Sequence, residues 1–139
     1  MRYAVDGILY QNDKIVLIKR AGRIFHDYWA LPAGSLDEGE TVEKTLKREM
    51  LEELSVDVQP LEILGVYSES DRDPRGHVIT VVFICSYDGD PKAGDDAAEY
   101  SVFSLKEALE LELAFDHKKI LQDFKKWLKK KETFWSNKK

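Results

Sequence analysis

The period of hydrophobic and polar positions changes several times along the 139-residue chain, and each change marks an element. "YAVDGILY" (3–10) alternates imperfectly and "KIVLIKR" (14–20) is a short apolar run; with the turn "QND" between them they predict a pair of strands. "AGRIFHDYWALPAGSLDEGE" (21–40) is rich in Gly, Pro and aromatics and reads as loop, with a short extended piece around Trp29–Leu31. The period then becomes helical. Thr41 suits an N-cap, and Val42, Leu46, Met50 and Leu54 form one apolar stripe of a helix that ends near Leu54. "VDVQPLEILGVYSES" (56–70) is extended with a break near Pro60, and "DRDPRGH" (71–77) is a loop. "VITVVFICSY" (78–87) is the strongest strand, β-branched and aromatic throughout, and is expected at the centre of a sheet.

After the loop "DGDPKAGDDAAE" (88–99), "YSVFSL" is a short strand and "SLKEALEL" a short helix capped by Ser104. "AFDHKKILQDFKKWLKKKE" (114–132) places Phe115, Ile120, Phe124, Trp127 and Leu128 on one helical face. Residues 132–139, including "TFWSNKK", read as a frayed tail. No repeat or linker divides the chain, so a single domain over 1–139 is expected, with a central mixed sheet flanked by helices.

Composition narrows the class. With 43% hydrophobic and 34% charged residues the chain is globular. No apolar stretch approaches the ~20 residues of a membrane helix, and the start lacks the pattern of a signal peptide. Neither a membrane partner nor secretion is therefore expected. Cys85, the single cysteine, lies in the central apolar strand and reads as a buried structural thiol. With no internal disulfide possible, the chain suits a reducing cytoplasm. Charge is uneven. Residues 114–139 hold nine lysines against Asp116, Asp123 and Glu132, a surplus of six positive charges in a chain of net -5, so the remainder carries -11. An acidic body repels polyphosphate unless cations intervene. The lysines read as a solvated helix face, and nucleic acid is not expected as a partner.

The candidate chemistry sits in "REMLEEL" (48–54). At ~100° per residue, Glu49, Glu52 and Glu53 fall within an arc of roughly 100° on the helix. Like charges at these spacings cost ~0.2–0.5 kcal/mol per pair in water. The acids lie beside the apolar stripe rather than among lysines, and half-buried like charges call for a cation. Clustered carboxylates suit Mg²⁺, or Mn²⁺, both hard cations that keep several waters. Arg48 precedes Glu52 by four positions and can fix that carboxylate. Ahead of the helix, Gly34 and Gly39 bracket "SLDE", with Glu40 directly before the cap. Oxygen ligands thus concentrate where loop meets helix.

These residues resemble the Nudix hydrolase signature: Gly, five residues, Glu, seven residues, Arg-Glu, a hydrophobic residue, any residue, Glu-Glu, any residue, Gly, a hydrophobic residue. Gly34, Glu40, Arg48, Glu49, Glu52 and Glu53 occupy the fixed positions, and Met50 and Val56 the hydrophobic ones. Six such positions coincide by chance at about 10⁻⁷ per starting point, from usages of roughly 6–7% each. The family's closing glycine is Ser55 here, in a place that normally adopts a left-handed conformation, and the common glycine pair is Ala33–Gly34.

The resemblance implies an α/β/α sandwich that hydrolyses a diphosphate linked to another group. It implies Glu49, Glu52 and Glu53 as metal ligands, one of which can instead act as the base, and Ala33 as a carbonyl ligand. Such family members recruit a further acid from a later loop, for which Asp95, Asp96 and above all Glu99 are candidates. The catalytic set is then Glu52, Glu53, Arg48 and Glu99. "DRDPRGH" with "GDDAAE" further resembles the ADP-ribose pyrophosphatase branch, which implies a small nucleotide substrate and a homodimer in which "TFW" can serve an interface. Arg72 and Arg75 can grip phosphate or ribose oxygens bidentately. Tyr28 and Trp29, with Phe25 and Tyr67, are candidates to stack on adenine, core packing being the competing role. His26, His77 and His117 are too scattered for a histidine metal site. The alternatives are a nucleoside triphosphate or RNA-end pyrophosphohydrolase and, in another class, a non-catalytic ADP-ribose sensor. Sensors usually carry damaged acids, whereas these are intact.

Overall fold

The computed structural model describes residues 1–92 and 97–139. Its strands are β1 (Arg2–Gln11), β2 (Lys14–Arg20), β3 (Trp29–Ala30), β4 (Ala33–Ser35), β5 (Asp57–Tyr67), β6 (Val78–Asp88), β7 (Ala97–Ser104) and β8 (Phe134–Trp135). The helices are α1 (Val42–Leu54), α2 (Leu105–Leu109) and α3 (His117–Lys129). The strands form a mixed sheet ordered β3-β2-β1-β6-β5-β8, with β4 pairing β1 and β7 pairing β2. β1 runs parallel to β6 and β5 parallel to β8, while β1–β2, β1–β4, β2–β7 and β5–β6 are antiparallel. The strand around residues 78–88 is central, as its composition predicts.

Alternation along the central strands divides the core into two layers. Val5, Leu9, Phe83 and Cys85 face α1 and meet Leu46, Met50 and Leu54. Ile8, Val82 and Ile84 face the other way and pack with Ile120, Leu121 and Phe124 of α3. Helices therefore cover both faces of the sheet, the expected α/β/α layering. Burial pushes the Cys85 thiol up to about 12, so it stays protonated.

The ends of α1 follow the sequence closely. The Lys44 amide donates to Thr41 Oγ1 at 3.2 Å, the cap that Thr41 predicts. At the other end Ser55 takes a left-handed conformation at φ 59°, where the family pattern has glycine. The helix closes as usual, and the side chain bears a cost of ~1 kcal/mol. Ser104 and Glu107 make a reciprocal capping box at the start of α2.

Two expectations are corrected. Residues 132–139 are not a frayed tail. Phe134 is buried and pairs with Gly65, Trp135 pairs with Val66, and Ser136 Oγ accepts from the Ser68 and Glu69 amides. A side chain at Gly65 would overlap the Phe134 backbone, so the glycine admits the last strand. A two-residue strand has too little length to show a period. Phe115, placed by periodicity on the face of α3, instead sits before the helix in a left-handed turn at φ 54°.

Candidate active site

Where α1, β4, the end of β2, the 71–77 loop and the turn before α3 meet, they enclose a cleft of about 660 Å³. Its acidic side is built locally. Gly34 is the tightest point, because a Cβ there would overlap the Glu49 carboxyl group. The glycine lets Glu49 lie against the β4 backbone beside Ala33, and Glu49, Ala33 and Glu53 all line the cleft. Burial raises the Glu49 carboxyl above its ordinary range; Arg48 opposes this rise, while the charges of Glu52 and Asp37 add to it.

Arg48 does not line the cleft and acts by positioning. Its Nε and Nη2 donate to the two oxygens of Glu40, both at 2.8 Å, and its Nη1 donates to Glu49 at 2.9 Å. The contact to Glu52 is longer, 3.4 Å. The primary partner expected from helical spacing is thus displaced by Glu40, eight residues earlier, which forms a bidentate pair. Glu40 also accepts from the Asp37 amide and the Thr45 hydroxyl. Arg48, and then the Asp37 amide, hold its carboxyl down to about 2. Gly39, at φ 87°, gives the loop the turn that brings Glu40 back onto Arg48.

Glu52 faces outward, its side chain 61% exposed, against 20% for Glu49. Among the described residues no three His, Cys, Asp or Glu side chains are gathered into a ready-made cation cage. The donor set still fits a hard cation: Glu49 and Glu53 enter one cleft with the Ala33 strand beside them, and Gly34 leaves the space. Mg²⁺ is commonly held by one or two carboxylates, waters and substrate phosphates rather than by an all-protein cage.

The other side of the cleft is basic and aromatic. Arg75 Nε and Nη2 donate to Asp73 at 3.1 and 2.9 Å. Arg2 Nη2 donates to the same carboxylate at 2.8 Å. Burial raises the Asp73 carboxyl, but the Arg75 hydrogen bonds outweigh it and hold the group below the usual carboxylate range. Arg20 and Phe115 complete this side. Burial lowers the Arg20 guanidinium, and the Arg75 charge lowers it further. The floor is Asp6 and His117, with Nε2 and Oδ2 3.3 Å apart. The Leu31 amide donates to His117 Nδ1 at 3.0 Å, so His117 packs the floor through its backbone contact.

Several sequence-predicted residues lie elsewhere. Arg72 reaches the cleft wall but is spent on structure: it donates to both Asp116 oxygens at 2.9 and 2.8 Å and to Thr80 Oγ1 at 2.6 Å. Its guanidinium is almost wholly buried, so it does not serve as an open grip. Glu99 stands on β7 opposite Lys19, 3.5 Å away, on an exposed part of the sheet and outside the cleft lining. Asp95 and Asp96 lie outside the described residues. Trp29 packs edge-on against Phe103, and Tyr28 against Phe25. Tyr67 is fully buried with its hydroxyl on Asp123. None of the four candidate rings, Phe25, Tyr28, Trp29 and Tyr67, lines the cleft; Phe115 does. Arg2, Arg20, Asp73 and Phe115 escaped sequence reading because no local pattern links them. The positions of Asp73 and Arg75 in one short loop were the one available signal.

Among the described residues no helix is long and apolar enough to cross a membrane. Residues 1–124 match the NUDIX domain. The chain is 49% identical over 125 residues to a protein named ADP-ribose pyrophosphatase from Methanocaldococcus jannaschii, covering 89% of this chain and 73% of that one. It is 33% identical over 128 residues to the ADPR responsive transcriptional repressor NtrR of Acinetobacter baylyi, covering 85% of this chain but 50% of the repressor. Among solved structures, the NUDIX domain of Shewanella oneidensis NrtR complexed with ADP ribose superposes with a TM-score of 0.81 at 27% identity, covering 91% of this chain and 87% of that one. With Gly34, Glu49 and Glu53 of the signature at the cleft and the domain match spanning residues 1–124, the chain belongs to the Nudix family.

Proposed function

We propose that this protein is a divalent-metal-dependent pyrophosphatase that hydrolyses ADP-ribose to AMP and ribose 5-phosphate. The observation that carries the reading is the divided cleft: half-buried glutamates enter it from α1, and guanidinium groups and an aromatic ring enter it from strand ends and loops. A diphosphate with a sugar on each end needs both kinds of surface. The likeness to the Methanocaldococcus jannaschii protein named ADP-ribose pyrophosphatase supports the choice of substrate.

Glu49 and Glu53, with the Ala33 carbonyl, are the groups that would hold Mg²⁺ or Mn²⁺; Glu52 joins them by a rotation of its exposed side chain. When bound, the cation neutralises diphosphate oxygens and lowers the pKa of a coordinated water. Arg48 and Glu40 lock the start of α1 so that Glu49 keeps its place over Gly34. A glutamate of the helix takes the proton of the attacking water. The water oxygen bonds to one phosphorus, the bridging P–O bond breaks, and each product leaves with one phosphate. Arg75 holds the substrate from the loop side. Glu99 has a part only if the 97–99 segment moves toward the cleft.

A cytoplasmic setting and a homodimer belong to the same reading. Val66 and Trp135, neighbours across β5 and β8, are 41% and 49% exposed and offer apolar surface to a second copy. Sedimentation at micromolar concentration checks the dimer. The activity is tested by incubating pure protein with Mg²⁺ and ADP-ribose, other nucleotide sugars, dinucleoside polyphosphates, nucleoside triphosphates and 5′-triphosphorylated RNA. ADP-ribose is expected to give the highest kcat/KM. A triphosphate or RNA end cleaved at least about tenfold faster would overturn the substrate while leaving the family intact. Binding of ADP-ribose without hydrolysis would instead favour a sensor.

A further inference from the structure

We infer that Arg20, Phe115 and Arg75 form a two-guanidinium anion clamp that grips the substrate's diphosphate independently of the metal. The inference rests on the reading of the cleft as a nucleotide diphosphate site and assigns the residues that discriminate for the anion.

The geometry is specific. The Arg20 guanidinium carbon lies 4.8 Å from the centroid of the Phe115 ring, and that of Arg75 lies 5.6 Å from the same centroid. Two like charges therefore converge on one aromatic ring. The ring quadrupole attracts each of them but does not remove their mutual repulsion. Each guanidinium is held there by its own device. Arg20 Nε donates to the Ile24 carbonyl at 2.8 Å. Arg75 is fixed along one edge by Asp73. Asp73 also answers Arg2, so one carboxylate serves two guanidiniums and positive charge is in excess.

The ring is held as firmly. Phe115 adopts φ 54°, a left-handed conformation disfavoured for a bulky residue, and strain of this kind collects at functional sites. Phe25, also at a positive φ, packs edge-on against it with centroids 4.9 Å apart, and the His117 ring lies 5.4 Å away. Arg20, Arg75 and Phe115 all face the cleft that Glu49 and Glu53 line. Two fixed, planar donors over a rigid plate, close to carboxylates suited to a cation, match a ligand with several anionic oxygens. Arg20 is also near enough to Glu53 to feel its charge, so the competing role is neutralisation of that glutamate.

The test is calorimetric binding of inorganic pyrophosphate and of ADP-ribose to the intact protein in chelator, for wild type, Arg20→Ala, Arg20→Lys and Phe115→Leu, beside steady-state kinetics with Mg²⁺. Thermal unfolding accompanies each variant, and Arg20→Lys and Phe115→Leu serve where the alanine change does not fold. The clamp predicts that wild type binds pyrophosphate without metal. Arg20→Ala weakens both ligands at least about tenfold, Arg20→Lys recovers part of the loss, and KM rises with kcat within about threefold. Phe115→Leu weakens both ligands as well. Unchanged metal-free affinity in Arg20→Ala with a fall in kcat would overturn the clamp and assign Arg20 to Glu53. Absence of pyrophosphate binding by wild type would overturn it too. Pyrophosphate binding that responds to Arg20 in a protein that spares ADP-ribose would support the clamp and overturn the proposed substrate instead.

Discussion

The acidic side of the cleft comes from one continuous stretch, Gly34 to Glu53, whereas the basic side draws on Arg2, Arg20, the 72–75 loop and Phe115. The first is held by short-range contacts: Arg48 reaches Glu40 eight residues away and Glu49 one residue away. The second is held by ion pairs across long separations, with Arg2 and Asp73 71 residues apart and Arg72 and Asp116 44 apart. A stretch of loop and helix sets the mutual spacing of its carboxylates locally, and packing on β1 and β4 then seats them. A guanidinium wall of this kind exists only once β1, β2, β6 and α3 have docked. On the proposed function the two sides do separate work, cation holding on one and anion holding on the other.

The largest effect is expected where the long-range side is fastened. Arg72→Ala leaves the part-buried Asp116 without its bidentate partner and deprives the buried Thr80 of its donor. Breaking a buried pair costs about 3–5 kcal/mol, and with Asp116 partly solvated the low end of that range, about 3 kcal/mol, is expected by urea unfolding. A loss below about 1 kcal/mol would mean that the pair does not fasten the loop.

Next comes the acidic side. Glu53→Gln keeps the shape of the side chain and removes a charge, and turnover should fall roughly 10²-fold, equivalent to about 2.7 kcal/mol. Phosphate release after coupling to a phosphatase measures it. A variant retaining more than about half of wild-type turnover would take Glu53 out of the chemistry. Arg75→Ala should act on the other quantity, raising KM about tenfold, near 1.4 kcal/mol, with kcat nearly unchanged. The reverse pattern would break the division between the two sides.

The smallest effect concerns acid. The Glu40 carboxyl is held down to about 2 in the fold. A depressed carboxyl contributes stability that is fully present above its unfolded value, near 4.3, and is lost as pH falls through its folded value. Stability should therefore decline between about pH 4.5 and 2 more steeply in wild type than in Glu40→Gln. Parallel pH profiles would remove Glu40 from the acid response.

The same contrast explains what could be read from the sequence. Arg48, Glu49, Glu52 and Glu53 were legible because helical spacing sets their neighbours, and Glu40 from its place directly before the helix cap. Even there, spacing named Glu52 as the partner of Arg48, and the loop turn at Gly39 gave that place to Glu40. Arg72 and Arg75 look alike in sequence, and only tertiary pairing makes one a fastener and the other a cleft residue. Grouping Phe115 with Ile120 on one helix face fails because positions five apart stand about 140° from each other on a helix, and the left-handed turn before His117 has no sequence mark. Tyr28 and Trp29 fill packing roles beside β2, where their aromatic character serves the core. The strand at Phe134–Trp135 depends on Gly65, a glycine 69 positions earlier in the chain that leaves it room.

The central claim is that the glutamates hold the cation and the arginines do not. It is tested most directly by the rise in melting temperature on titrating Mg²⁺ into wild type, Glu53→Gln and Arg75→Ala, without substrate. Binding to the folded state stabilises it by mass action, so the size of the rise reports affinity. The account predicts that wild type and Arg75→Ala rise alike while Glu53→Gln rises much less. Equal rises in all three proteins would contradict it.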